Sequence, residues 1–369
     1  MSRLEQYDAW LTTDDAAAIV IREPLVPVEG PDGVFFPATY AATKDKTFPG
    51  GYNIDPPSGE KNVCLVDSVG SQANRIEPIF GKPGYSELVP QVVIEAGEKR
   101  SNLLEAGHRA GDAIVRCTPL QKKLQDAFKE VLKGNALPMA KVAPTSFVFG
   151  VWDSRDTQAK LPRLIAATIR AFDVQRLTRS AVYTPPLDYV EMNVFSEEEQ
   201  EKAKGDDKNP LSKRGFVNAL ASATHGGVIA RGGVRRDVTF SLAALRLLSA
   251  GDDAAQTLAL RRYVLGLALV ALTAPAKTYL RQGCNLVPDV DQPRTVTLVG
   301  ADGKRDALML DRDEDLAFAR LAAEAFGVGE SLVAKFDPEL AKKDLAGDGD
   351  AKQTRKNKAK VAAPKSDPQ

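Results

Sequence analysis

The sequence predicts an α+β fold, and three observations lead there. Short strand-like runs interleave with amphipathic helical stretches along most of the 369 residues. The glycine-rich phosphate signatures of parallel, nucleotide-binding sheets are absent: there is no G-x-x-x-x-G-K-S/T, no G-x-S-x-G, and no G-x-G-x-x-G between a strand and a helix. The composition is that of a globular chain, 43% hydrophobic and 27% charged.

Residues 14–22, DDAAAIVIR, read as a first strand centred on Ile19, Val20 and Ile21. From Glu23 to Asn62 proline and glycine are frequent and no period is sustained, which predicts an inserted lobe. Further strand-like runs fall at 63–66, 91–95, 112–117 and 146–152. Leu120, Leu124, Phe128, Val131 and Leu132 make a helical stripe that Gly134 ends. A second helix is expected from Pro162, a favoured first-turn residue. Leu161, Leu164, Ile165, Ile169 and Phe172 would lie on one side of it, with Arg163 and Arg170 sharing the other.

Residues 182–210 change to an acidic, lysine-containing run and are expected to protrude as a hairpin or mobile loop. Two helices are expected near 241–250 and 253–273, the first stopped by Gly251. A last strand at 294–299 turns at Ala301-Asp302-Gly303 and pairs with 307–310, and an acidic helix follows. From Ala346 onward apolar residues are few, which predicts a disordered basic tail. The organisation read from sequence is therefore one domain, 1–345, with inserted segments near 23–62 and 182–210, and a tail over 346–369.

Lys plus Arg number 49 and Asp plus Glu 49, so the formal net charge is zero. That excludes a uniformly basic polyanion binder but leaves room for a basic groove on one face. Cys64, Cys117 and Cys284 are dispersed with no paired spacing, so neither a disulfide framework nor a metal site is expected, and no cofactor is implied. The first ten residues hold acidic side chains and no apolar core, and the apolar stretch 263–276 falls short of a bilayer span. A cytoplasmic protein is the expectation.

Asp67-Ser68-Val69-Gly70-Ser71-Gln72-Ala73-Asn74-Arg75 places small polar residues where a strand ends and a helix begins. Exposed backbone N–H groups with Ser71, Gln72 and Arg75 would form an anion site there. A serine N-cap and a solvated arginine explain the same residues. Arg231-Gly232-Gly233-Val234-Arg235-Arg236-Asp237 clusters arginines beside flexible glycine, which suits a polyphosphate backbone; an edge strand carrying an Arg–Asp pair is the alternative. His108 and His225 have no accompanying ligand or nucleophile motif, so no catalytic residue is assigned.

The segment LVDSVGSQANRIE, with its Ser71-Gln72-x-x-Arg75, resembles the CRISPR-associated RAMP superfamily. FVFGVWDSR at 147–155, RGGVRRDVTFSLAALRLL at 231–248 and LRQGCNLVP at 280–288 are similar to the backbone subunit of type I-G (formerly I-U) Cascade complexes. The resemblance implies a ferredoxin-like (RRM-like) palm with thumb and web insertions. It also implies non-catalytic binding of crRNA, presented to a target DNA strand in a helical filament of copies of the chain. Other Cascade subunits, a large subunit and one capping a crRNA end, are implied as partners. Ser71, Gln72 and Arg75, with the adjoining Asn74, would hold the guide backbone. Arg163, Arg170, Arg231, Arg235 and Arg236 are RNA-binding candidates on the reading of the residues alone. A RAMP ribonuclease, using His108 or Asp67, and an α+β protein-interaction scaffold are the competing readings.

Overall fold

The computed structural model describes residues 2–45, 47–56, 61–206, 208–275 and 277–346, with backbone alone for 220–224. Its centre is a nine-stranded sheet joined by antiparallel pairings. β1 (Ala16–Pro27) lies in the middle. The later main strands are β2 (Val63–Asp67), β3 (Ile165–Phe172), β4 (Val174–Tyr183), β5 (Ala219–Ala230), β6 (Val234–Ser241), β7 (Cys284–Pro288) and β8 (Thr295–Gly300). β1 pairs along its length with β6, then β6 with β3, and β3 with β2. On its other edge β1 meets β8 with its first half and β7 with its second.

Alternation sets the sheet's two faces. Ile19, Ile21 and Leu25 of β1 are buried beside Phe240, Val238 and Val234 of β6, their register partners. The first-strand reading is correct, but β1 continues to Pro27, into the stretch assigned to an insertion. Pro24 obscures this in the sequence. It sits opposite Arg235, and its carbonyl accepts from the Asp289 N–H at 3.0 Å.

Four helices matter here: α1 (Val69–Ile76), α2 (Gln121–Leu132), α3 (Ala254–Thr273) and α4 (Arg312–Phe326). α2 is the helix expected before Gly134, which has φ 88°. α3 is long and apolar enough by composition to cross a bilayer, yet Leu260 and every residue from 263 to 272 are buried in the core. α4 packs on α3 where only glycine fits. A Cβ on Gly266 would lie 2.8 Å from Ala319 Cα. Tyr263 stacks on Phe326 with ring centroids 4.5 Å apart and donates its hydroxyl to Leu88 O at 2.7 Å.

The helix expected from Pro162 is instead strand β3. Leu164, Ile165, Ile169 and Phe172 satisfy a helical stripe, but Ile165, Ala167, Ile169 and Ala171 equally satisfy a strand's period of two. Pairing on both edges, with β6 and β2, selects the strand. The opposite correction applies at 112–117 and 146–152. Those short apolar runs form helices Ala113–Arg116 and Thr145–Phe149, with strand only at Val151–Trp152. The Asp112 carboxylate caps the first by accepting from Ile114 N at 3.1 Å. Of the helix expected at 241–250, only Leu242–Leu245 is α-helical.

The expected protrusion is larger than 182–210. β4 and β5 form an antiparallel hairpin that prolongs β3 and β6 beyond Asp173 and Gly232. Its end, 184–218, carries helix Glu197–Ala203, with a capping box from Ser196 and Glu199, and helix Pro210–Lys213. The expected hairpin forms, turning through Gly303 at φ 86°, but Thr295–Gly300 pairs with Arg305–Ala307, ahead of the expected 307–310. Apart from Ala346, the expected disordered tail lies outside the described residues.

Candidate nucleic-acid interface

The Ser-Gln-x-x-Arg pattern falls on α1, which starts where β2 ends. Ser68, not Ser71, is the N-cap: its Oγ accepts from Ser71 N at 3.3 Å. Gln72 points inward and is 4% exposed, its Nε2 donating to Asp67 Oδ2 at 2.7 Å. Arg75 Nε donates to the same oxygen at 3.1 Å, and its Nη2 to Leu280 O at 2.7 Å. Arg281 Nη2 reaches Asp67 Oδ1 at 2.6 Å. The fully buried Asp67 carboxylate thus collects an amide and two guanidiniums, tying β2, α1 and the short strand Tyr279–Arg281 together. Gln72 works as an internal latch, an outcome neither sequence reading contained. Ser71 is half-buried at the first turn, where its Oγ accepts from the Ser68 hydroxyl at 3.2 Å.

Arg75 keeps part of its side chain at the surface, and there it lines an open cleft of about 400 Å³ with Asn74, Lys82, Lys277, Tyr279 and Arg312. No acidic side chain lines it among the described residues. Arg312 donates from Nε to the Tyr85 hydroxyl at 3.0 Å, which holds its guanidinium at the rim. Tyr279 is 62% exposed. Four cations and an exposed phenol ring around a cleft suit a phosphate chain with a base beside it. Lys82, Lys277, Tyr279 and Arg312 were invisible in the sequence because they come from three separate segments. Only Arg281 left a trace, inside the resemblance segment 280–288.

The glycine-rich arginine cluster divides between the two faces of β6. Arg235 faces outward, donating bidentately to Asp237 at 2.8 and 3.1 Å and lying 4.9 Å over the Phe172 ring. Arg170 stands opposite Arg235 in the β3–β6 register, its Nη1 donating to Thr168 Oγ1 at 2.6 Å. Two arginines directly opposite each other cost stability in a sheet, a cost the Asp237 carboxylate beside Arg235 offsets. Arg22 of β1 adds a third guanidinium, 4.0 Å from Asp237. Arg231, at the turn below, donates to Gln175 Oε1 at 3.0 Å. Arg22, Arg231 and Arg235 line a cleft of about 580 Å³ on this face.

Arg236 is not part of that surface. It is 8% exposed and forms an ion pair with Glu23 at 2.8 Å, its register partner on β1, although the contacting atoms are out of line for a hydrogen bond. One residue along a strand reverses the face, so adjacent arginines cannot both reach a ligand on the same side. For the same reason Arg163 and Arg170 do not share a side as the helical reading placed them. Arg163 precedes β3 and donates from Nε to Phe149 O at 3.0 Å.

Beneath α1, Arg109 and Glu77 form a second buried pair at 2.6 Å, and Arg109 Nη2 lies 3.5 Å from Asn74 Oδ1. Burial pushes Glu77 up to about 7, against the pull of Arg109. His108 is exposed, 3.7 Å from Asp112, whereas His225 packs on Tyr52 in the hairpin, so the two histidines belong to different surroundings. Among the described residues no cluster of three His, Cys, Asp or Glu is placed to hold a metal ion. Burial pushes the Cys64 and Cys284 thiols up to about 12 and about 11, away from nucleophilic use.

The molecule so far is an α+β protein whose basic side chains gather in clefts around a curled antiparallel sheet. Residues 19–176, which include most of β1 and all of β2, α1, α2 and β3, match the family model described as CRISPR-associated protein GSU0053. The match supports a CRISPR-associated protein with a role in CRISPR defence. No curated protein matches the chain.

Proposed function

We propose that the chain is a non-catalytic crRNA-binding backbone subunit of a type I (I-G) surveillance complex, acting in the cytoplasm. The observation that carries this reading is the basic cleft at α1. It joins Arg75 of the Ser-Gln-x-x-Arg pattern to Lys82, Lys277, Arg312 and Tyr279 inside a chain matched to a CRISPR-associated family. The strand order supports a ferredoxin-like palm. With β1, β3, β6 and the β7/β8 edge taken as first to fourth strands, the order is fourth, first, third, second, all neighbours antiparallel. The hairpin β4–β5, emerging from the second and third of these strands, is then the thumb. On this reading the partners are crRNA, a target DNA strand, copies of the chain in a filament, and the large and crRNA-end-capping subunits.

Expression with its CRISPR array and purification of the protein test this directly. RNA of uniform length is expected to co-purify, and to be retained less tightly, with more released at raised salt, by a Lys82→Ala/Lys277→Ala variant that melts like wild type. Protein free of RNA would overturn the reading. Incubating the same preparation with labelled precursor and complementary RNA checks that neither is cut.

A further inference from the structure

Arg109, which reaches Asn74 at the first cleft, also lines a second cleft of about 680 Å³. Its wall is a small hairpin, Val151–Trp152 paired with Lys160–Leu161. Trp152 stands directly opposite Lys160, and residues opposite each other share a face. Val151 and Leu161 are buried, whereas Lys160 is exposed and Trp152 is 57% exposed.

The hairpin is braced. Asp153, 2% exposed, accepts from Thr157 N at 2.8 Å and Thr157 Oγ1 at 2.7 Å, fixing the loop that presents Arg155. Gly150, at φ 79°, lets the stem of Arg163 lie against the chain: a Cβ there would come within 2.5 Å of Arg163 Cγ. Gly111 likewise admits the Trp152 carbonyl, 3.0 Å from where its Cβ would sit. His108 also lines the cleft, and no acidic residue lines it among the described residues.

An acidic peptide would satisfy the cations and leave the indole face without a planar partner. An apolar ligand would do the reverse. A single nucleic-acid strand supplies both a π-face and phosphates at nucleotide spacing. We propose that this platform stacks one base of a single strand on Trp152 and holds the adjoining phosphates with Lys160, Arg155 and Arg163. The proposal rests on the RNA-binding reading for the identity of that strand.

The test is a titration of the full chain with an oligouridylate of about 12 nucleotides, read by anisotropy and tryptophan emission. The chain has 2 tryptophans, and Trp10 is stacked on Tyr7 at 4.6 Å, so the difference between wild type and Trp152→Phe isolates Trp152. The expected results are quenching that vanishes in Trp152→Phe, roughly tenfold weaker binding in Trp152→Ala, and near-wild-type binding in Trp152→Phe. Lys160→Ala is expected to lower the salt slope by about 0.7. Stronger quenching by polyglutamate than by oligouridylate would overturn the proposal. So would wild-type affinity in Trp152→Ala while Lys82→Ala/Lys277→Ala weakens binding, an outcome that leaves the guide-RNA reading standing. Quenching of Trp152 by oligouridylate in a protein that co-purifies with no RNA would uphold the platform and remove that reading instead.

Discussion

On the inner face of the central sheet Arg236 is spent on the fold, while on the outer face its neighbour Arg235 stands at the surface beside Arg170 and Arg22. The inner arginine meets Glu23 at 2.8 Å with both groups under a tenth exposed, so each charge depends on the other. On the outer face Arg235 and Arg22 share a single carboxylate, Asp237, and Arg170 donates to the Thr168 hydroxyl. The same residue type is therefore a structural liability on one side, tolerable only when paired, and a spare positive field on the other. A census of arginines in the sequence misses this difference, which is what separates a binding face from a core.

The largest effect should come from breaking the inner pair. Glu23→Ala strands a buried guanidinium and is expected to cost about 3–5 kcal/mol, measured by urea unfolding. Replacing both partners by Leu and Met should restore most of that loss. A Glu23→Ala protein as stable as wild type would mean that Arg236 escapes to solvent, and the contrast between the faces would collapse. Asp67→Ala comes next, at about 2–3 kcal/mol. It unpairs Arg75 and Arg281, but both guanidiniums retain some access to water.

The surface substitutions should act on binding and leave the fold alone. Lys82→Ala with Lys277→Ala is expected to weaken guide-RNA binding roughly tenfold at physiological salt and flatten the salt slope by about 1.4. The melting temperature should hold, since such exposed changes cost within about 0.5 kcal/mol. Arg75→Ala is a poor substitute for this pair, because it would also remove one of the two guanidiniums that pair with the buried Asp67. Arg231→Ala with Arg235→Ala should also cost little stability, below about 1 kcal/mol, because the Arg235–Asp237 pair is partly solvated. Its readout is again the salt slope. No change there would assign Arg231 and Arg235 to the hairpin's base and leave nucleic acid to the cleft at α1.

Part of the site was legible and part was not. The segment 67–75 was recognisable as a strand-to-helix junction with polar residues, and α1 begins there. The role of Gln72 was misread because its partner, Asp67, is a neighbour in sequence whose burial depends on β3 and the 279–281 strand. The cleft residues Lys82, Lys277, Tyr279 and Arg312 span more than half the chain, and nothing local marks them as companions.

The sequence by itself determined the elements that carry their own hydrogen-bonding instructions. These are α1 behind Ser68, α2 closed at Gly134, α4 behind Asp311, and the turn at Gly303. Caps and turns are satisfied within a few residues, so local chemistry is enough to place them. Only the tertiary structure decided that 165–172 is a strand, that β1 runs on through Pro24, and that Arg235 and Arg236 part company. A strand's hydrogen bonds and its buried face belong to partners far away in the chain. In segments whose apolar residues fit both periods, those distant partners cast the deciding vote.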